Sequence, residues 1–281
     1  MKTLMTISLV ALFVNLFAQD IPVATAEQFK RFKESTTYLV KYDDPFSSFN
    51  EYITEDMSKV WKITPFKIIS PDEFETLSKD KKNSFIFLSE IFKEEGEKTA
   101  KWNLLNITLG SNAGSANMNS MPDLGSAPLN YVSDNEDNEE EYLYKLAGVL
   151  RFFQYYIQYN MANPGSDIKS VVKNNKSKLT GKELWLLQSD MSDEVNSLEK
   201  ISKYFSGTVK FVTPEEIRSA IHAGNEKVVF LHQVTPGNNV GKWSLKFLLC
   251  ASDGCPVYYD VTTVGAGKNG RFSASDFKAI N

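Results

Sequence analysis

The sequence predicts an α/β protein built from two tandem, homologous repeats joined by a long apolar helix. Each repeat is expected to be a mixed sheet in β-α-β-α-β-β order, covered by helices. Three observations lead to this fold. Four sequence blocks recur in the same order at a nearly constant offset, strands alternate with helices in each copy, and a segment near the middle of the chain is apolar on two helical faces.

The recurring blocks are short but consistently ordered. Phe85-Ile-Phe-Leu is answered by Val228-Val-Phe-Leu, an offset of 143 residues, and Ala100-Lys-Trp-Asn-Leu is answered by Gly241-Lys-Trp-Ser-Leu. Two further pairs begin at Glu55 and Glu199 and at Ile68 and Phe211. Four blocks in one order indicate two copies of one unit. The predicted boundaries are 1–19 for a signal peptide, 20–165 for the first repeat with the long helix, and 166–281 for the second repeat.

Each copy contains a helix start with the same chemistry. Ser70 and Thr213 precede a proline and stand three residues before Glu73 and Glu216. This spacing predicts a capping box, in which the hydroxyl accepts from an orphan backbone N–H and the glutamate accepts from the N–H of the cap residue. A catalytic role for the two glutamates is the less favoured interpretation.

The elements of the first copy follow in order along the chain. We expect a strand at Tyr38–Tyr42, a helix at Phe49–Trp61, a strand at Phe66–Ser70 and a helix at Pro71–Ser78. Buried strands then follow from Phe85 and around Trp102. The second copy begins with a strand at Leu184–Leu187, after a polar stretch, Lys169–Lys182, that is predicted to be a linker.

The segment Tyr142–Met161 is predicted to be one helix, opened by an acidic run and capped by Ser133. Leu146, Leu150 and Phe153 mark one apolar face, and a second face is aromatic. A helix that is apolar on two sides is buried on two sides, which favours a position between the repeats. The alternative is that the aromatic face binds a partner, and its candidate interface residues are Phe152, Tyr156 and Tyr159.

Lys2 followed by a short apolar run to Ala18 predicts a secretory signal peptide and an exported protein, periplasmic or extracellular. The run is shorter than the roughly 20 residues of a membrane span, and no later segment qualifies as one. The net charge of −4 does not suggest a nucleic-acid binder. We expect no cofactor and no metal. The acidic run lacks the spacing of an EF-hand loop.

Only two cysteines are present, Cys250 and Cys255, and the apolar runs around them predict that they face each other across a hairpin turn. In an oxidising compartment a disulfide that closes this turn is the favoured interpretation, with free thiols second. A redox-active pair is disfavoured, because the pair lacks the two-residue spacer of thioredoxin-like sites.

No other motif forms a catalytic set. Gly265-Ala-Gly-Lys-Asn-Gly270 matches a dinucleotide fingerprint, but too few residues follow it for a second strand and helix. His232 is expected in the core and His222 at a helix end, where a cation suits the helix dipole.

The order of the apolar Tyr38-Leu-Val strand, the amphipathic helix, the Phe66-Lys-Ile-Ile strand and the capped second helix resembles the repeat unit of CsgG-like and TolB amino-terminal-like bacterial envelope proteins. The resemblance covers most of each repeat and is architectural. It implies assembly, scaffold or regulatory roles in the cell envelope, and it transfers no functional residue.

Together these observations predict a non-enzymatic protein of the envelope or exterior that binds another protein. The alternative is a small-ligand or glycan-binding protein that uses a cleft between the repeats, near Trp102 and Trp243. The partner, the oligomeric state and the exact cleavage site do not follow from the sequence.

Overall fold

The computed structural model describes residues 24–44, 46–95, 98–111, 121–132, 138–236, 243–265 and 269–281, with backbone only for 92–95 and 98–100. The predicted signal peptide and the predicted cap Ser133 lie outside the described residues.

The first unit contains one five-stranded mixed sheet with four helices. Its elements are α1 (Ala26–Lys33), β1 (Thr36–Val40), α2 (Phe49–Val60), β2 (Phe66–Ile69), α3 (Pro71–Leu77), β3 (Asn83–Glu95), β4 (Lys98–Leu109), β5 (Asp123–Val132) and α4 (Leu146–Ala162). The strand order is β2-β1-β3-β4-β5. Strand β1 runs parallel to β2 and β3, and the remaining pairs are antiparallel.

The second unit also contains one five-stranded mixed sheet with four helices. Its elements are α5 (Ile168–Asn175), β6 (Glu183–Leu186), α6 (Leu198–Ile201), β7 (Thr208–Phe211), α7 (Pro214–His222), β8 (Val228–Val234), β9 (Trp243–Cys250), β10 (Pro256–Thr263) and α8 (Ala274–Ile280). Its strand order, β7-β6-β8-β9-β10, and its pairing directions repeat those of the first sheet. The mixed α/β fold with two similar sheets therefore agrees with the predicted duplication.

The two capping boxes are confirmed. Ser70 Oγ accepts from the N–H of Glu73 at 3.3 Å and Glu73 accepts from the N–H of Ser70 at 2.8 Å. Thr213 and Glu216 make the same two contacts at 3.2 and 2.8 Å. Both caps follow the second strand of their sheet, so they occupy equivalent topological positions.

Three predicted boundaries are wrong. Strand β1 covers Thr36–Val40 rather than Tyr38–Tyr42. Residues 169–182 are not a linker, because Ile168–Asn175 form α5 and Lys176–Leu179 a 3₁₀ turn. Asp167 caps α5, and buried Val171 anchors it, which a polar composition did not reveal. The long helix begins at Leu146 rather than Tyr142, since the preceding residues form 3₁₀ turns.

The two units meet through non-equivalent surfaces. Helix α2 follows the first strand of its sheet, and it shares one apolar cluster with α7, which follows the second strand of the other sheet. The counterparts of these helices are elsewhere: α3 packs in a cluster around Phe85, and α6 packs in a cluster around Phe277. Right-handed crossovers place the helix after the first strand and the helix after the second strand on opposite faces of each sheet. The α2 face of the first sheet therefore meets the α7 face of the second sheet, and these two faces are not equivalent.

Helix α4 contacts elements of both units. Gln154 Nε2 donates to the carbonyl of Val60 at 3.0 Å, and the ring of Phe152 lies 5.3 Å from the ring of Phe247 on β9. Gly148 is the point of closest approach, because a Cβ atom there would lie 2.4 Å from Cζ of Phe230. Both faces of α4 are therefore buried. In the described part of the chain, no helix has the length and apolarity needed to cross a membrane.

Candidate functional site

An open groove of about 650 Å³ runs along the outer edge of the first sheet. One wall is the outward face of α2, and the other is formed by β2 and the start of α3. Its lining residues are Lys41, Asn50, Glu51, Thr54, Glu55, Ser58, Ile68, Ile69, Ser70 and Glu73. The groove thus lies between a strand edge and a set of polar side chains. One of its lining residues, Glu55, contacts Arg218 of the second unit.

Strand β2 supplies the groove with backbone groups as well as side chains. It stands at the end of the sheet and pairs only with β1 among the described strands. The carbonyls of Pro65 and Ile69 accept from Thr37 and Lys41. Because the backbone groups of alternate residues point to opposite sides of a strand, those of Phe66 and Ile68 point away from β1. No described strand pairs with them.

Ile68 is the apolar element of the groove. It is 37 % exposed, whereas its neighbour Ile69 is 5 % exposed and packs under α3. Phe66 shares the face of Ile68 and packs into the core beneath α2. A large exposed aliphatic side chain on an edge strand favours pairing with another chain, which natural proteins normally prevent.

The α2 wall is polar and partly pre-organised. Asn50 holds the end of β1, since its side chain donates to the carbonyl of Tyr42 and accepts from the N–H of Tyr42, both at 2.8 Å. Ser58 donates to the carbonyl of Thr54 at 2.9 Å. Thr54 and Glu51 line the groove between these two positions.

At the junction between the units, the groove ends in a charged cluster. Asp56 is fully buried, and its Oδ1 accepts from Arg218 Nη2 at 3.0 Å and lies 2.7 Å from His222 Nε2. Arg218 also pairs with Glu55 at 2.8 Å, and its guanidinium carbon lies 4.4 Å from the ring centroid of Tyr52. The cluster consists of α2 acids facing α7 bases, which is complementary across the junction.

Hydrogen bonds hold two carboxylates of the groove, Glu55 and Glu73, in the ionised form. Hydrogen bonds from Lys59 and Arg218 lower the pKa of Glu55 to about 2. The backbone and side chain of Ser70 lower the pKa of Glu73. Both carboxylates therefore stay ionised at neutral pH, Glu55 paired with Lys59 and Arg218, and Glu73 bonded to its cap residue Ser70.

The predicted interface residues on α4 are mostly enclosed. Phe152 is 8 % exposed and belongs to the core. Tyr156 is partly buried and donates to the carbonyl of Ser166 at 3.1 Å, while Tyr159 accepts from Asn174 at 2.6 Å. A partner role for these three residues stays a prediction, but none of them lines the groove.

Cys250 and Cys255 do lie at the two ends of the β9–β10 turn, and both are buried free thiols. A disulfide in an oxidising compartment stays a prediction. Their sulfur atoms and a carboxylate oxygen of Asp253 all lie within 4.8 Å of one another. Lys178 Nζ stands 3.6 Å from Cys255 Sγ.

The junction cluster was not predicted from the sequence, because its members are far apart in the chain. Asp56 and His222 are 166 residues apart and belong to different units. His222 does lie in the last turn of α7, as its dipole interpretation requires. Only the burial of a charged residue on the apolar face of α2 could have indicated a buried ionic partner.

No protein-family model, curated protein or solved structure matches the chain.

Proposed function

We propose that this chain is an exported, non-enzymatic binding protein that captures an extended segment of another protein in the groove beside β2. The single observation that carries the proposal is the unpaired edge of β2 within a groove that exposes Ile68. Strand addition supplies affinity through main-chain hydrogen bonds and specificity through alternate side chains.

The chemistry of the groove defines the segment it would take. The outward backbone groups of Phe66 and Ile68 would pair with two or three residues of an added strand. An apolar side chain of that segment would cover Ile68, and the exposed carboxylate of Glu51 favours a basic side chain beside it.

Export and a scaffold role rest on the signal-like start of the chain and on its architectural resemblance to the CsgG-like and TolB amino-terminal-like group. We also infer that α4 is the element that joins the two units, because its opposite faces contact Val60 and Phe247. A rigid two-unit body would hold the groove in one orientation relative to the partner.

The alternative of a small ligand or glycan held between the units has less support. Trp102 is 3 % exposed, so its ring offers no stacking surface. Tyr131 Oη bonds both the carbonyl and the N–H of Trp243, at 2.6 and 3.0 Å, which ties this region into the junction.

The proposal is tested by panning a displayed library of random peptides against the chain without residues 1–19. We expect enrichment of segments that alternate apolar and polar residues and carry a basic side chain. Ile68→Pro removes one outward N–H without touching the β1 pairing, and it should reduce the affinity of an enriched peptide at least tenfold.

The matched control is Phe211→Pro, which makes the same change at the equivalent edge of the second sheet. Unchanged peptide affinity in Ile68→Pro, with the fold intact by circular dichroism, would refute binding at β2. Equal losses in both variants would indicate a general loss of structure rather than a binding site.

A further inference from the structure

The β9–β10 turn places two thiols in chemically different surroundings. Both cysteines belong to the apolar cluster around Phe277, and Cys250 lies at the end of β9. Cys255 also faces α4 and the 3₁₀ turn after α5. There Lys178 Nζ lies 3.6 Å from its sulfur and 3.0 Å from Tyr155 Oη. Tyr155 donates in turn to Asn175 Oδ1 at 2.8 Å.

From this arrangement we propose that Cys255 and Cys250 form a thiol–disulfide exchange pair, with Cys255 the attacking sulfur, Cys250 the resolving sulfur, and a low-molecular-weight disulfide as the oxidant. The Lys178 ammonium lies beside Cys255 and stabilises a thiolate there. An asymmetric pair of this kind is what sequential exchange requires, because one sulfur must attack while the other waits protonated.

The pKa shifts of the two thiols agree with these distances. The hydrogen bond from Cys250, helped by Tyr155 and Lys178, lowers the pKa of Cys255 to about 7 against an opposing effect of burial. The same hydrogen bond and burial raise the pKa of Cys250. Asp253 and Lys182 are the other charged groups that act on the pair, and Asp253 opposes ionisation of both thiols.

The pair lies close to the surface although both thiols are buried. Asp253 and Lys178 are exposed, and Lys178 Nζ lies 3.6 Å from the sulfur of Cys255, so an exposed side chain contacts this buried thiol. The buried Nδ2 of Asn175, which has no hydrogen-bond partner among the described residues, is a further donor beside Tyr155.

The exchange proceeds in two balanced steps. The Cys255 thiolate attacks one sulfur of the oxidant RSSR, forming a mixed disulfide and releasing RS⁻, which takes up a proton. Cys250 then loses its proton and attacks the Cys255 sulfur, which closes the protein disulfide and releases the second RS⁻. The protein dithiol and RSSR thus become the protein disulfide and two RSH.

The β9–β10 turn packs against α4, the helix that contacts both units. Arg151 Nη1 donates to the carbonyl of Ser252 at 2.5 Å. Gly254 has a φ of +73°, and a Cβ atom there would lie 2.2 Å from the backbone nitrogen of Phe152. The turn is therefore held in place while its thiols react.

The first experiment measures alkylation of each cysteine by iodoacetamide as a function of pH, by mass mapping of the full chain without residues 1–19. We expect Cys255 to react first, with a midpoint near pH 7. Lys178→Met should raise that midpoint by about one pH unit, as loss of a nearby opposite charge does. The control Lys176→Met alters an exposed lysine of the same turn and should leave the midpoint unchanged.

The second experiment uses oxidised glutathione as the probe. Cys250→Ser should retain glutathione on Cys255, Cys255→Ser should take up at least tenfold less, and the wild type should close its disulfide reversibly across a series of glutathione buffers. Equal reactivity of the two thiols, an unshifted midpoint in Lys178→Met, or a disulfide that no glutathione ratio reduces would overturn the proposal.

Discussion

Asp56 of the first unit and His222 of the second unit lie 2.7 Å apart, Oδ1 to Nε2, and this contact crosses the junction where the peptide-sized groove ends. Arg218 completes the arrangement by bonding both Asp56 and Glu55. A fully buried carboxylate is stable only when its partners are in place. The junction is therefore held by specific charges as well as by apolar packing.

Arg218→Met should be strongly destabilising. It removes the charged partner of a buried carboxylate, for which the cost is about 3 kcal/mol or more. Urea denaturation measures the loss, and Lys59→Met is the control, because its exposed pair with Glu55 should contribute less than about 1 kcal/mol. Similar losses in the two variants would contradict a special role for the buried pair.

The same variant should change the titration of Glu55. A carboxyl whose folded pKa is depressed stabilises the fold above its unfolded pKa, and this contribution is lost as the pH falls through the folded value. For Glu55 that window runs from about pH 4.5 down to about pH 2. Arg218→Met should raise the pKa of Glu55, which carboxyl NMR titration would detect, and an unchanged pKa of Glu55 would contradict this contact.

Gly148→Ala should destabilise the protein even though alanine favours helices by about 1 kcal/mol over glycine. The added Cβ would collide with the ring of Phe230, and overpacking costs about 1–3 kcal/mol. Thermal unfolding measures the net effect. Adding Phe230→Leu should recover part of the loss, and a more stable Gly148→Ala single variant would disprove the close packing.

Ser70→Ala should cost about 1 kcal/mol, the usual magnitude for a lost helix cap. Thr213→Ala makes the equivalent change in the second unit and should cost a similar amount. Denaturation midpoints of both variants provide the comparison. A midpoint unchanged in either variant would mean that the corresponding capping box does not contribute to stability.

Phe152→Ala should reduce stability by about 3 kcal/mol or more, because the ring is buried against Phe247. Association measured by sedimentation should not change. The partly buried Tyr156 is the comparison, and its substitution should cost less. Weakened association with unchanged stability would instead favour the aromatic face as a partner-binding surface.

His232 should make the fold sensitive to acid. Burial lowers its pKa to about 3, and Nε2 lies 2.8 Å from the carbonyl of Pro128. Because the unfolded state binds a proton below about pH 6.5 and the folded state does not, stability is lost as the pH falls from 6.5 towards 3, by up to about 1.4 kcal/mol per pH unit. His232→Gln keeps a donor and should remove this part of the slope. Equal slopes in both proteins would contradict a neutral buried His232.

The amino-acid sequence by itself determined several elements of each unit. The Ser70 and Thr213 caps, the α2 boundaries and the alternation of strands and helices depend on contacts within a few residues, so local patterns report them. The internal similarity of the blocks likewise predicted two sheets of one strand order. The predictions that failed, the linker at 169–182 and the helix start at Tyr142, concern segments whose structure depends on what packs against them.

Only the tertiary structure decided how the units meet and where a site arises. Equivalent helices have similar patterns, so nothing in the chain could indicate that α2 faces α7 while α3 and α6 face elsewhere. The Asp56–His222 contact and the proximity of Lys178 to Cys255 join residues 166 and 77 positions apart. The Asp56–His222 contact arises only when both units have folded and stacked, whereas the Lys178–Cys255 contact arises when the second unit folds.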